Sequence, residues 1–198
     1  MSEFATRATS RNMPDLAAAA KILKVNWRGN LGVPDSDVQP NRENKMKLAQ
    51  KIRELRPRTV IVPYWEARHP DHYHASALGY EGCFLAGLKQ LPLDGEPYRP
   101  FKILYATSFE GMQPTFIVDI TAQYETRREA ILAYGSQFRP AESERKQKVF
   151  LAIDELDSRM DLMARHYGQM IGAKYGEPFL QKELMAVEDI VSLPVRSI

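Results

Sequence analysis

Three of the four histidines of this chain fall within six residues, His69-Pro70-Asp71-His72-Tyr73-His74. Imidazole can gain or lose a proton near neutrality, and in its neutral form it is a common metal ligand. Two imidazoles with a carboxylate between them can bind a metal, move protons, or do both. The cluster follows the apolar run Val60-Ile61-Val62-Pro63-Tyr64-Trp65. Such a run reads as a buried strand, and in α/β proteins chemistry collects just past the carboxyl ends of strands. His69, Asp71 and His72 are therefore the candidate site. His74 reads as a helix-face residue, and His166, in a charged helical stretch, as structural. Tyr64 and Trp65 are expected to pack around the site rather than react.

The elements that must position this cluster are legible from pattern and punctuation. Pro14 starts a helix through about Lys24 that includes the alanine run 17–20. Residues 30–40 carry Gly32, Pro34, Asp35, Asp37 and Pro40, which is loop chemistry. Asn41 is an N-cap candidate for a helix to about Leu55, with Met46, Leu48, Ala49, Ile52 and Leu55 on one face. Thr59–Pro63 is β-branched and apolar on both faces, as in a central parallel strand. A helix is expected from about His72 to Leu91, then strands at Lys102–Ala106 and Thr115–Asp119. Helices are expected over 121–135 and 143–171, and a short one near Leu180–Leu184. Alternating strands and helices imply an α/β layered fold with a mostly parallel sheet. Three strands are few for this length.

With 198 residues, 44% apolar and 26% charged, the composition is that of one ordinary globular domain spanning 1–198. A net charge of +2, with both signs intermixed, gives no push toward nucleic acid or a membrane surface. No apolar stretch approaches the roughly 20 residues that span a bilayer. The lone cysteine, Cys83, rules out an internal disulfide and fits a reducing cytoplasm. Its apolar neighbours Phe84, Leu85 and Ala86 point to a buried structural thiol.

The segment Pro63-Tyr64-Trp65-Glu66-Ala67-Arg68-His69-Pro70-Asp71-His72 resembles the second signature of the PIG-L or LmbE-like zinc-dependent N-deacetylases. The resemblance extends to Ala17–Leu23 with Trp27 to Pro34, Glu43–Pro57, and Lys102–Tyr105 with Pro114–Asp119. It also covers Glu129–Phe138 (EAILAYGSQF) and Tyr167–Phe179 (YGQMIGAKYGEPF). The likeness is strongest to the bacillithiol-biosynthesis branch, which deacetylates N-acetylglucosaminyl malate. It implies a Rossmann-like fold, a cytoplasmic hydrolase of N-acetylglucosaminyl conjugates, and a homo-oligomer. It also implies His72 as a zinc ligand, His69 as general acid and stabiliser of the tetrahedral intermediate, and Asp71 as the group that orients His69. Thr6-Arg7 resembles a Thr-Arg-Gly loop whose arginine contacts substrate, with Ala8 in place of the glycine; Arg7 is thus the substrate-binding candidate.

The family's first signature, His-Pro-Asp-Asp, would supply the remaining zinc ligands and the general base. No histidine precedes His69. The expectation is a domain without its N-terminal strands and with weak zinc binding. A start assigned to an internal methionine, a truncated gene, and a binding protein that has lost its chemistry all account for it. In the last case the partner is a sugar conjugate or a complete paralogue.

Overall fold

Asn41 begins the unit that carries the site. Its side chain accepts a hydrogen bond from the Asn44 amide (2.9 Å), which caps α2 (Arg42–Leu55) as the sequence implies. Arg56 closes that helix in the left-handed conformation (φ 47°), its N–H donating to Ile52. In the computed structural model of the protein, residues 14–107, 111–138 and 153–195 are described, with helical residues 14–22 (α1) preceding α2.

Chain order continues with β1 (Thr59–Pro63), α3 (Pro70–Ala86), β2 (Lys102–Ala106), β3 (Phe116–Asp119), α4 (Tyr124–Leu132), α5 (Gly135–Phe138), α6 (Ile153–Met170), β4 (Gly176–Leu180) and a 3₁₀ turn, Ile190–Ser192. The sheet order is β1-β2-β4-β3. β1 and β2 pair in parallel, with Val62 opposite Tyr105, while β4 runs antiparallel to both β2 and β3. Three of the four strands thus share one direction, in a mixed α/β layered fold.

Two expectations are corrected here. The stretch read as opening a short helix near Leu180–Leu184 is instead led by strand β4. Pro178 argues against a strand between two others, yet the β2–β4 ladder covers only Phe179 and Leu180. Pro178 stands one residue past that ladder, where β4 has the character of an edge strand and tolerates a missing N–H. Secondly, β1 is not central among the described residues. Its one partner is β2, and Ile61 is 57% exposed while Val62 is 6% exposed.

Packing on the Val62 face explains how α3 is placed. Ala49 and Ile52 of α2 and Cys83 and Ala86 of α3 form one buried cluster, with Val60 and Ile103 of the sheet against it. Burial of a side chain such as Ile52 contributes about 1.5–3 kcal/mol. Gly79 lets α3 sit directly on Val62, since a Cβ there would overlap the valine side chain. Cys83 is 2% exposed and its thiol is pushed up to about 11 by burial, which makes it the structural thiol the sequence implies. A second centre joins α4, α6 and β4. There Tyr124 and Tyr175 stack with centroids 3.7 Å apart beside buried Ile120 and Ala164. No helix among the described residues is long and apolar enough to cross a membrane.

Candidate functional site

The histidine cluster sits at the turn from β1 into α3, past the carboxyl end of a parallel strand. The Tyr64 amide still donates to Ala106 (2.8 Å), so the chain leaves the sheet beyond Tyr64. Helix α3 starts at Pro70, two residues earlier than its pattern implies, and ends at Ala86 rather than Leu91. Proline fits the first helical position because its missing N–H would be unpaired there, and it keeps the preceding residue extended. His69 is accordingly extended (φ −91°, ψ 130°) and serves as the N-cap.

That cap fixes the chemistry of the ring. Nδ1 of His69 accepts a hydrogen bond from the Asp71 backbone N–H at 3.2 Å. With the Nδ1 lone pair committed, the neutral ring carries its proton on Nε2. His69 is exposed, and so is His72, whose ring centroid lies 5.5 Å away. The structure therefore brings the two imidazoles together at a helix N-terminus, a place that favours negative charge.

Asp71 meets His69 through its backbone N–H. Its carboxylate, 9% exposed, turns the other way and accepts from the Ser36 amide (2.7 Å) and the Val38 amide (3.3 Å). It ties the 34–38 loop to the first turn of α3, with its charge stabilised by two N–H donors and the helix dipole. Ser36 is left-handed (φ 63°), an unfavourable conformation for a non-glycine residue. The Asp71 bond holds that strained residue in place. The polar loop composition signalled the turn, but nothing in sequence spacing ties residue 71 to residues 33 and 35 positions earlier.

The remaining candidates divide. Arg7 lies outside the described residues. His74 is half-buried on α3, with its ring edge-on to Tyr73 (4.6 Å) and Nδ1 buried without a hydrogen-bond partner. His166 is exposed on α6, with its ring 5.1 Å from that of Tyr167. Tyr64 and Trp65 do pack around the strand end: their centroids are 4.7 Å apart, and Trp65 meets Tyr105 edge-on at 4.8 Å. Missed from sequence is Lys182, whose ammonium lies over the rings of Trp65, Tyr80 and Tyr105. Only the three-dimensional convergence of four segments reveals it.

A catalytic zinc ion wants three protein ligands and an open position. Among the described residues no group of three His, Cys, Asp or Glu side chains is arranged to hold a metal. Asp71 is occupied with loop amides, which leaves His72 and its neighbour His69. The described residues do not fit a catalytic zinc site by themselves.

Known proteins resemble this chain in sequence and fold. The profile of the PIG-L family, described as GlcNAc-PI de-N-acetylase, matches residues 5–83, a span that contains α2, β1 and the whole histidine cluster. The conserved protein TT1542 of Thermus thermophilus is 35% identical and superposes with a TM-score of 0.79, over 90% of this chain and 76% of that one. The chain belongs to the PIG-L family. Within that family, the diacetylchitobiose deacetylase of Thermococcus kodakarensis is 28% identical over 172 residues, 84% of this chain. The N,N'-diacetylchitobiose deacetylase of Pyrococcus horikoshii, solved with its inhibitor MPG, is 26% identical with a TM-score of 0.67, over 81% of this chain and 59% of that one. This chain spans 61% of the length of the curated Thermococcus relative.

Proposed function

We propose that this PIG-L chain is an N-deacetylase that hydrolyses the acetamide of an N-acetylglucosaminyl conjugate, with N-acetylglucosaminyl malate of bacillithiol synthesis as the substrate. The observation that carries this reading is the His69–His72 pair at the N-terminus of α3, inside the family-matching segment. The names of two relatives, both deacetylases of an acetylated amino sugar, support the reaction class.

The division of labour rests on the α3 N-terminus and, for zinc and Arg7, on the family resemblance alone. Hydrolysis of an acetamide develops negative charge on the carbonyl oxygen and needs a hydrogen bond or proton delivered to the leaving nitrogen. The exposed Nε2–H of His69 is the donor on this chain, and the α3 N-terminus adds a favourable field for the developing charge. His72 would supply one ligand to a zinc ion, and Arg7 would pair with a carboxylate of malate. Exposed apolar residues, including Ile61, Leu184, Ile190 and Val191, support assembly into a homo-oligomer.

The test uses the full chain supplied with zinc, measuring amine release from N-acetylglucosaminyl malate and from N,N'-diacetylchitobiose. His69→Asn is the informative variant, because asparagine preserves the helix cap but removes Nε2–H. Turnover should fall about 10²–10⁴-fold with stability unchanged. Unaltered turnover in His69→Asn would remove His69 from the reaction. Sugar binding without turnover by the native chain would establish a binding protein instead.

A further inference from the structure

Lys182 lies two residues beyond β4 and is exposed, yet its ammonium is held in a fixed place. The nitrogen is 4.7 Å from the ring centroid of Trp65, 5.0 Å from that of Tyr80 and 4.9 Å from that of Tyr105. Three separate segments supply these rings. Trp65 belongs to the turn between β1 and His69, Tyr80 to the helix that His69 caps, and Tyr105 to β2. Tyr105 is 1% exposed, so its ring is a rigid wall.

A ring of aromatic faces attracts a cation by about 0.5–2 kcal/mol per ring, depending on desolvation. An apolar side chain would fill such a box and tether the tail equally well, so what lysine adds is a charge. Among the described residues no carboxylate forms an ion pair with Lys182, although Glu183 is near enough to Tyr105 that its charge adds to burial in pushing that hydroxyl up. The tail beyond it is not buried by the contact, since Leu184 is 98% exposed. The rings thus restrain a long side chain whose ordering would otherwise cost binding energy.

We propose that Lys182, positioned by Trp65, Tyr80 and Tyr105, is a specificity residue that binds an anionic group of the sugar conjugate, either carboxylate or phosphate. This rests on the deacetylase reading and names a substrate class for it: conjugates with negative charge on the part away from the acetamide. Because Trp65 touches both the box and the strand-end turn, occupancy by an anion should register in its fluorescence.

The test titrates three probes into the full chain carrying Trp27→Phe, which leaves Trp65 as the sole tryptophan. The probes are N-acetylglucosaminyl malate, N-acetylglucosamine 6-phosphate and uncharged N-acetylglucosamine. An anionic probe should bind at least tenfold more tightly than the uncharged sugar. Lys182→Met should erase that advantage while leaving the uncharged sugar unaffected, and Lys182→Arg should restore it. A preference for malate over phosphate, or the reverse, identifies the anion. Equal binding of charged and uncharged sugars, or an advantage that survives Lys182→Met, overturns the inference and leaves the deacetylase reading standing. Failure of every probe to bind overturns both.

Discussion

The two ends of helix α3 each hold a buried charge, and they use it differently. At the carboxyl end Arg53 of α2, 5% exposed, donates to four carbonyl oxygens: Nε to Ala86 (3.0 Å), Nη1 to Leu93 (2.8 Å) and Gly95 (3.2 Å), and Nη2 to Leu88 (2.7 Å). At the amino end Asp71, 9% exposed, accepts from two loop amides. Each sign matches the helix dipole at its end. The carboxyl end is closed: its cation is satisfied, and it organises a loop around buried Ala86. The amino end is satisfied at Asp71 but open at His69 and His72, and it keeps a strained Ser36 in its supporting loop. One end of α3 is built for stability, and the other holds reactive groups at the surface on a fixed base.

The sharpest way to break this comparison is at Arg53. Replacement by methionine keeps the stem but strands four carbonyls, and about 3–5 kcal/mol of stability should be lost. Chemical denaturation measures this directly. A loss below about 1 kcal/mol would mean that water substitutes for the guanidinium, and that the carboxyl end is no firmer than the amino end.

At the other end, Asp71→Asn replaces one acceptor by an NH₂ group facing an N–H donor. The cost should be smaller, about 1–3 kcal/mol, and local to residues 34–38. Faster hydrogen exchange at the Ser36 and Val38 amides is the expected readout, with Ser36→Gly partly offsetting it by relieving the left-handed strain. If exchange there were unchanged while turnover fell, Asp71 would act on His69 in the way the family resemblance implies, and its loop bonds would be secondary.

How much of this was legible in the sequence follows the range of the interactions. Local signals read well. Asn41 capped its helix, Thr59–Pro63 and Lys102–Ala106 formed strands at the expected residues, and Cys83 is buried. Helix ends shifted where a cap outcompeted the apolar pattern, as His69-Pro70 did at the start of α3 and Gly87 at its end. Long-range partnerships were invisible. Nothing in the run Gly176-Glu177-Pro178-Phe179-Leu180 announces a strand, because its identity comes from pairing with Phe116–Asp119 some 60 positions earlier. The role of Arg53 is hidden for the same reason, since its carbonyl partners lie 33–42 residues away. The site was half legible: the reactive residue types and their place at a strand end were plain, but the orientation of the Asp71 carboxylate was not.

The smallest effect concerns charge that neither end of α3 uses. Arg128 of α4 pairs with Asp157 of α6 through Nε to Oδ1 and Nη2 to Oδ2, both at 2.5 Å, about a third exposed on each side. Hydrogen bonds from Arg128, reinforced by its charge, hold the Asp157 carboxyl below the usual carboxylate range against the opposing effect of partial burial. Because the folded-state value is the lower one, the pair stabilises the fold above the unfolded value of about 3.9, and that contribution is lost as pH falls through the folded value. Solvent screening at this exposure limits it to under about 1 kcal/mol. Asp157→Asn should therefore lower stability slightly at about pH 7, by a penalty that shrinks as pH falls below the unfolded value of about 3.9, a convergence that denaturation curves over this range would show. Arg53→Met should show no such convergence, because its carbonyl partners do not titrate. A pH-independent penalty in Asp157→Asn would mean that shape, not charge, joins α4 to α6, and that the polar contacts of this half of the molecule resemble the closed end of α3 more than its open one.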